Sequence, residues 1–73
     1  MIYEQYFERK KEHQDCLILI KVGHFYQTFD EDSIILNYLF DYKIIGKRVG
    51  FPVLSFSNVV EKLQQYKINY FFP

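Results

Sequence analysis

The segment Cys16-Leu17-Ile18-Leu19-Ile20 runs for five residues without a polar side chain. A strand wetted on one face alternates polar and apolar residues. An unbroken apolar run with two β-branched members instead predicts a central strand covered on both faces, the anchor of a sheet. Before it, from Ile2 to about His13, Tyr3, Tyr6 and Phe7 recur at helical spacing among Glu4, Gln5, Glu8, Arg9, Lys11 and Glu12, which predicts an amphipathic helix lying on the domain. After it, Gly23 permits a turn or bulge, and His24 to Phe29 reads as a second strand forming a hairpin with the first. The period of two sends Phe25, Gln27 and Phe29 to one side and His24, Tyr26 and Thr28 to the other.

Asp30 is a good N-cap, Glu31 and Asp32 suit a helix's positive end, and Ile35, Leu36, Leu39 and Phe40 supply the apolar stripe of a helix ending near Asp41. A short strand through Ile44 and Ile45 is expected next. Gly46-Lys47-Arg48-Val49-Gly50 reads as a basic turn and Phe51-Pro52 as a helix breaker. Ser57 or Asn58 is expected to cap a third helix with Val59, Leu63 and Tyr66 on its buried stripe, Glu61 completing a capping box with Asn58. Ile68 to Phe72 reads as a last strand, either covered or an edge open to pairing.

Seventy-three residues make one domain, 1–73, and at this size only about 60 % of the unfolded chain's surface can be buried. Seven Tyr and eight Phe offset the small size, since each ring buries on the order of 150–250 Å². Nine basic and nine acidic side chains cancel, whereas a domain that grips DNA alone is strongly basic, so weak DNA binding is expected of the isolated chain. The single Cys16 has no partner for an internal disulfide, and no apolar run approaches a membrane span or follows a basic start. A cytoplasmic protein without membrane contact is the expectation.

The stretch Lys21-Val22-Gly23-His24-Phe25-Tyr26-Gln27-Thr28-Phe29-Asp30-Glu31-Asp32 carries the functional signal, because a ring and an amide two residues apart on one strand face are suited to probing a base. It resembles the mismatch-recognition motif at the start of the MutS family of DNA mismatch repair proteins, in which a Phe and a Glu two residues apart enter the minor groove. Tyr6 to Asp15 is similar to that family's opening helix and turn, with Gln14 where Pro is usual. Gly50-Phe51-Pro52 is similar to its Gly-Ile/Val-Pro turn, and Val59-Val60-Glu61-Lys62-Leu63 through Tyr70 to the helix and strand that follow.

The resemblance implies the family's N-terminal domain in a shortened, stand-alone form: an α+β fold, a small mixed β-sheet with about three flanking helices. It implies double-stranded DNA, mismatched or distorted, as partner, and Phe25 as the matched intercalating ring. Gln27 stands where the family has Glu, keeping a carbonyl acceptor and adding a donor while losing the charge. His24 replaces Asp. The family's connector, lever, clamp and ATPase domains exceed 73 residues, and no Gly-x-x-x-x-Gly-Lys-Ser/Thr loop is present, so no ATPase activity is expected.

The expected DNA-binding residues are Phe25, Gln27, His24, Lys47 and Arg48, with Lys21 the other basic residue near that face. Each has an ordinary counterpart: Phe25 as core, Gln27 as a solvated strand residue, Lys47-Arg48 as a solvated turn. His13 and Cys16 are too few to hold structural zinc, and His24 lacks a nucleophile and an orienting acid, so neither metal, cofactor nor enzyme activity is expected. With so few cations, tight binding calls for self-association or a larger repair protein. The alternative is a protein-interaction module that keeps the fold without DNA binding, using Tyr70-Phe71-Phe72 as a docking strand.

Overall fold

The computed structural model describes residues 2–73. Helix α1 spans Ile2–Glu12. The apolar run then forms β1, Leu17–Ile18, and continues into β2, Ile20–Val22, with all of Leu17 to Ile20 buried. The two strands are one extended segment that changes partner at Leu19. β1 pairs in parallel with β5, Tyr70–Phe71, and the Leu19 amide still donates to the Phe71 carbonyl at 2.9 Å. β2 pairs antiparallel with β3, Phe25–Phe29, through a turn in which Gly23 adopts φ +61°, a conformation glycine takes without a Cβ penalty. The α+β class with a small mixed sheet and three helices is the observed architecture.

Successive residues of the central segment are buried on opposite faces. Leu17 and Leu19 join Tyr26, Leu36, Val49, Phe51, Val59 and Leu63 in the larger core. Ile18 and Ile20 face the other way, joining Tyr6 and Phe29. The sheet is therefore sandwiched, with α1 against one face and, on the other, helix α2 (Asp30–Phe40) and helix α3 (Phe56–Gln65).

Arg48–Pro52 is not a turn but strand β4, paired antiparallel with the whole of β3. Its burial alternates, Val49 and Phe51 inward and Arg48, Gly50 and Pro52 outward. That period-two signal was masked by the glycine and proline, which an edge strand tolerates. The expected strand at Ile44 and Ile45 shrinks to a single bridge between Ile45 and Arg48, because Gly46 at φ +66° and Lys47 turn the chain straight into β4. α3 also begins before Ser57, following a 3₁₀ turn at Val53–Ser55, and Tyr66 sits exposed at its C-cap instead of on the buried stripe.

Asp30 does not cap α2 with its carboxylate. It enters the helix at φ +50°, a left-handed conformation that Asp tolerates, and its Oδ2 accepts from the Tyr3 hydroxyl at 2.9 Å. Asp32, 1 % exposed, anchors the layers instead. Its carboxylate accepts from the Tyr6 hydroxyl (2.9 Å), the Lys10 ammonium (3.0 Å) and the Ile18 backbone N–H (3.1 Å), joining α1, β1 and α2. Lys10 donates also to the Cys16 carbonyl at 2.7 Å. A buried charge is tolerated when it is paired and hydrogen-bonded in this way.

Candidate nucleic-acid interface

The α1-facing side of the sheet is only half covered. In register along it lie Ile20, Gln27 and Gly50 in one row, and Val22, Phe25 and Pro52 in the next. Phe29, on the same face, is closed over by Tyr6 and Tyr3, whose ring centroids lie 5.3 and 5.4 Å from its own. Phe25, four residues earlier, is 49 % exposed.

Phe25, Gln27, Lys43, Ile45, Arg48 and Gly50 line an open depression of about 370 Å³. Gly50 forms part of its floor opposite Gln27. A Cβ added there would sit 3.7 Å from Gln27 Cγ and 3.6 Å from the Tyr26 carbonyl, ordinary contacts that would nonetheless narrow the hollow. Among the described residues no carboxylate pairs with Lys43 or Arg48, since the ion pairs engage Arg9, Lys10 and Lys11 on α1. Two cations thus flank a half-exposed ring and an amide, a combination that can meet a phosphate backbone and a base together.

The expected site residues do not all converge. Phe25, Gln27 and Arg48 come together. Lys47 lines a different hollow, with Asp30, Glu31, Ser33, Ile34, Ile44 and Gly46, and its carbonyl accepts from the Asp30 N–H at 2.8 Å. His24 is exposed in the β2–β3 turn, where its carbonyl accepts from the Val53 N–H at 2.9 Å. Lys21 is registered opposite Tyr26 and so belongs to the other parity from Phe25. Lys43 and Ile45 were missed by the sequence reading. The usable signal was Gly46, since a left-handed glycine between Ile45 and Arg48 folds residues 43–45 back beside β4.

Two other residues singled out in the sequence are structural. The His13 ring stacks on Phe71 with centroids 4.0 Å apart. Cys16 is partly covered, and burial together with the Asp15 carboxylate pushes its thiol pKa up, which disfavours the reactive thiolate. No group of three or more His, Cys, Asp or Glu among the described residues could hold a metal ion, and no described helix is long and apolar enough to cross a membrane.

Comparison with known proteins gives this face its context. The family described as MutS domain I matches residues 1–70. The chain belongs to that family. It is 36 % identical over 59 residues to DNA mismatch repair protein MSH6 of Saccharomyces cerevisiae, a match covering 73 % of this chain and 5 % of the yeast protein. It is 47 % identical over 36 residues to DNA mismatch repair protein MutS of Porphyromonas gingivalis, covering 49 % of this chain and 4 % of that protein. MutS of Lachnoclostridium phytofermentans is 32 % identical over 47 residues, 64 % of this chain and 5 % of its own length. The MutS domain I chain thus spans about one twentieth of these relatives.

Proposed function

We propose that this MutS domain I chain is a binding module for mismatched or otherwise distorted double-stranded DNA, in which Phe25 wedges into a weakened base step from the minor groove and Gln27 contacts a base edge. The observation that carries the reading is the half-exposed Phe25 ring beside Gln27 at a depression flanked by Lys43 and Arg48, which pair with no carboxylate among the described residues. The names of the relatives, DNA mismatch repair proteins, support mispaired duplex as the partner.

The energetics favour distortion over sequence. Unstacking a base step costs a few kcal/mol and stacking on an aromatic ring returns about 1–3 kcal/mol, so insertion into normal duplex is near balance. A mispaired step is already poorly stacked and bends readily, which lowers the deformation cost and tips the balance without any base being read. Lys43 takes the place of Lys47 beside Arg48 as the two phosphate contacts of this reading, with exposed His24 near the base step at the turn. Two phosphate contacts correspond to a salt slope of only about −2 on a log–log scale, so affinity of the chain alone is modest. A second copy or a larger repair protein would supply the remaining contacts. The module acts by binding, without ATPase or other enzymatic activity, in the cytoplasm, where the lone thiol stays reduced.

Fluorescence anisotropy with matched and mismatched duplexes at low salt tests the reading. Wild type is expected to favour the mismatch and Phe25→Ala to lose that preference. Equal, negligible binding by both proteins to both duplexes would remove DNA from the account. The protein-interaction alternative would then gain, supported by β5, a sheet-edge strand followed by exposed Phe72.

A further inference from the structure

The two ends of the Gln27 amide have different surroundings. Oε1 is buried and has no hydrogen-bond partner among the described residues, whereas the amide nitrogen is not enclosed in this way, and the side chain lines the open depression beside Phe25. Turning the amide over would trap two N–H donors where one carbonyl acceptor now sits, so the observed orientation is the less costly of the two. A carboxylate here would place charged oxygen in the same unsatisfied position, which costs more still. The side chain therefore offers its NH₂ outward.

The minor groove gives this polarity a consequence. Every base pair there presents acceptors, N3 of purines and O2 of pyrimidines, while the guanine 2-amino group is the one donor. A donor on the protein meets an acceptor at any pair, and meets an opposing donor only where guanine is present. We infer that Gln27 engages DNA as a hydrogen-bond donor, so that this domain favours distorted steps whose minor-groove edge lacks the guanine 2-amino group. The inference rests on the reading of Phe25 and Gln27 as the base-contacting pair, and adds to it the kind of mispair preferred. An accepting carboxylate at position 27 would have the opposite preference.

Inosine isolates the group in question, because it differs from guanine by the missing 2-amino group, which takes no part in a G·T wobble pair. Anisotropy titrations of the full chain use two duplexes that differ only in G·T against inosine·T, with a matched duplex as reference. Wild type is expected to bind inosine·T about five-fold more tightly than G·T, the size of one net hydrogen bond. Gln27→Glu is expected to abolish or reverse that ratio. Gln27→Met, which has neither donor nor charge and keeps the length of the side chain, is expected to show a ratio near one. Since the DNA is identical for all three proteins, differences in duplex stiffness cancel in the comparison. A Phe25-dependent mismatch preference with the same inosine ratio in all three would overturn the donor assignment and leave the DNA reading standing. Absence of any mismatch preference in wild type would overturn both.

Discussion

Phe25 and Phe29 are the same residue type on the same strand and the same face, yet one is 49 % exposed and the other 8 %. The difference is α1. Its Tyr3 and Tyr6 rings close over Phe29, while the face beyond stays open around Phe25, Gln27 and Gly50. One half of the sheet face serves stability and the other is left as a surface. What separates them is the reach of a helix held in place by Asp32, not any property of the strand.

The strongest way to break that contrast is to truncate both rings. Phe29→Ala is expected to cost about 3–5 kcal/mol of stability, enough to unfold much of so small a domain, and Phe25→Ala less than about 1 kcal/mol. Urea midpoints read both. Similar losses would mean that the two halves of the face are not different.

The anchor comes next. Asp32→Ala leaves the Lys10 ammonium without its buried carboxylate and is expected to cost about 3 kcal/mol. Amide hydrogen exchange should show the loss first in α1 and in the segment from Leu17 to Val22. Uniform loosening of α3 instead would show that Asp32 does not govern the cover over Phe29.

On the open half, Phe25→Ala should remove about 1–3 kcal/mol of preference for mismatched over matched duplex while leaving the thermal midpoint nearly unchanged. Arg48→Ala and Lys43→Ala should each lower the salt slope of binding by about one and weaken matched and mismatched DNA alike. Lys47→Ala, in the other hollow, should leave the slope unaltered.

The smallest effect concerns Tyr6. Burial first, then the Asp32 carboxylate, raises its phenol well above the ordinary value of 10.0. The unfolded chain therefore releases this proton from about pH 10 upward while the folded protein keeps it, so stability is intact below that pH and falls as pH climbs beyond it. Tyr6→Phe should lose about 1 kcal/mol at neutral pH and show a shallower alkaline decline, read from urea midpoints across pH 8 to 11. An equal decline in both proteins would assign the alkaline loss to other groups.

Much of the architecture is legible in the chain. The Tyr3, Tyr6 and Phe7 spacing marks α1, the Leu17–Ile20 run marks the doubly covered strand, and Gly23 marks the hairpin. β4 was hidden because Gly50 and Pro52 speak locally for a turn, and the pairing with β3 that overrides them joins residues as far apart as Phe25 and Pro52. Asp32 looked like an ordinary helix-start carboxylate for the same reason. Its Tyr6 partner lies 26 residues away.

By itself the sequence determined which side chains share a strand face, since a period of two is a property of the extended backbone and needs no other part of the molecule. It determined, through the Gly23 to Asp32 stretch and its flanks, the family as well. Tertiary structure alone decided that α1 covers Phe29 and stops short of Phe25, that Lys43 and Arg48 reach the open half while Lys47 turns away, and that the Gln27 carbonyl points inward. Those outcomes depend on contacts between segments far apart in the chain, and parity says which side a residue takes but not what lies across from it.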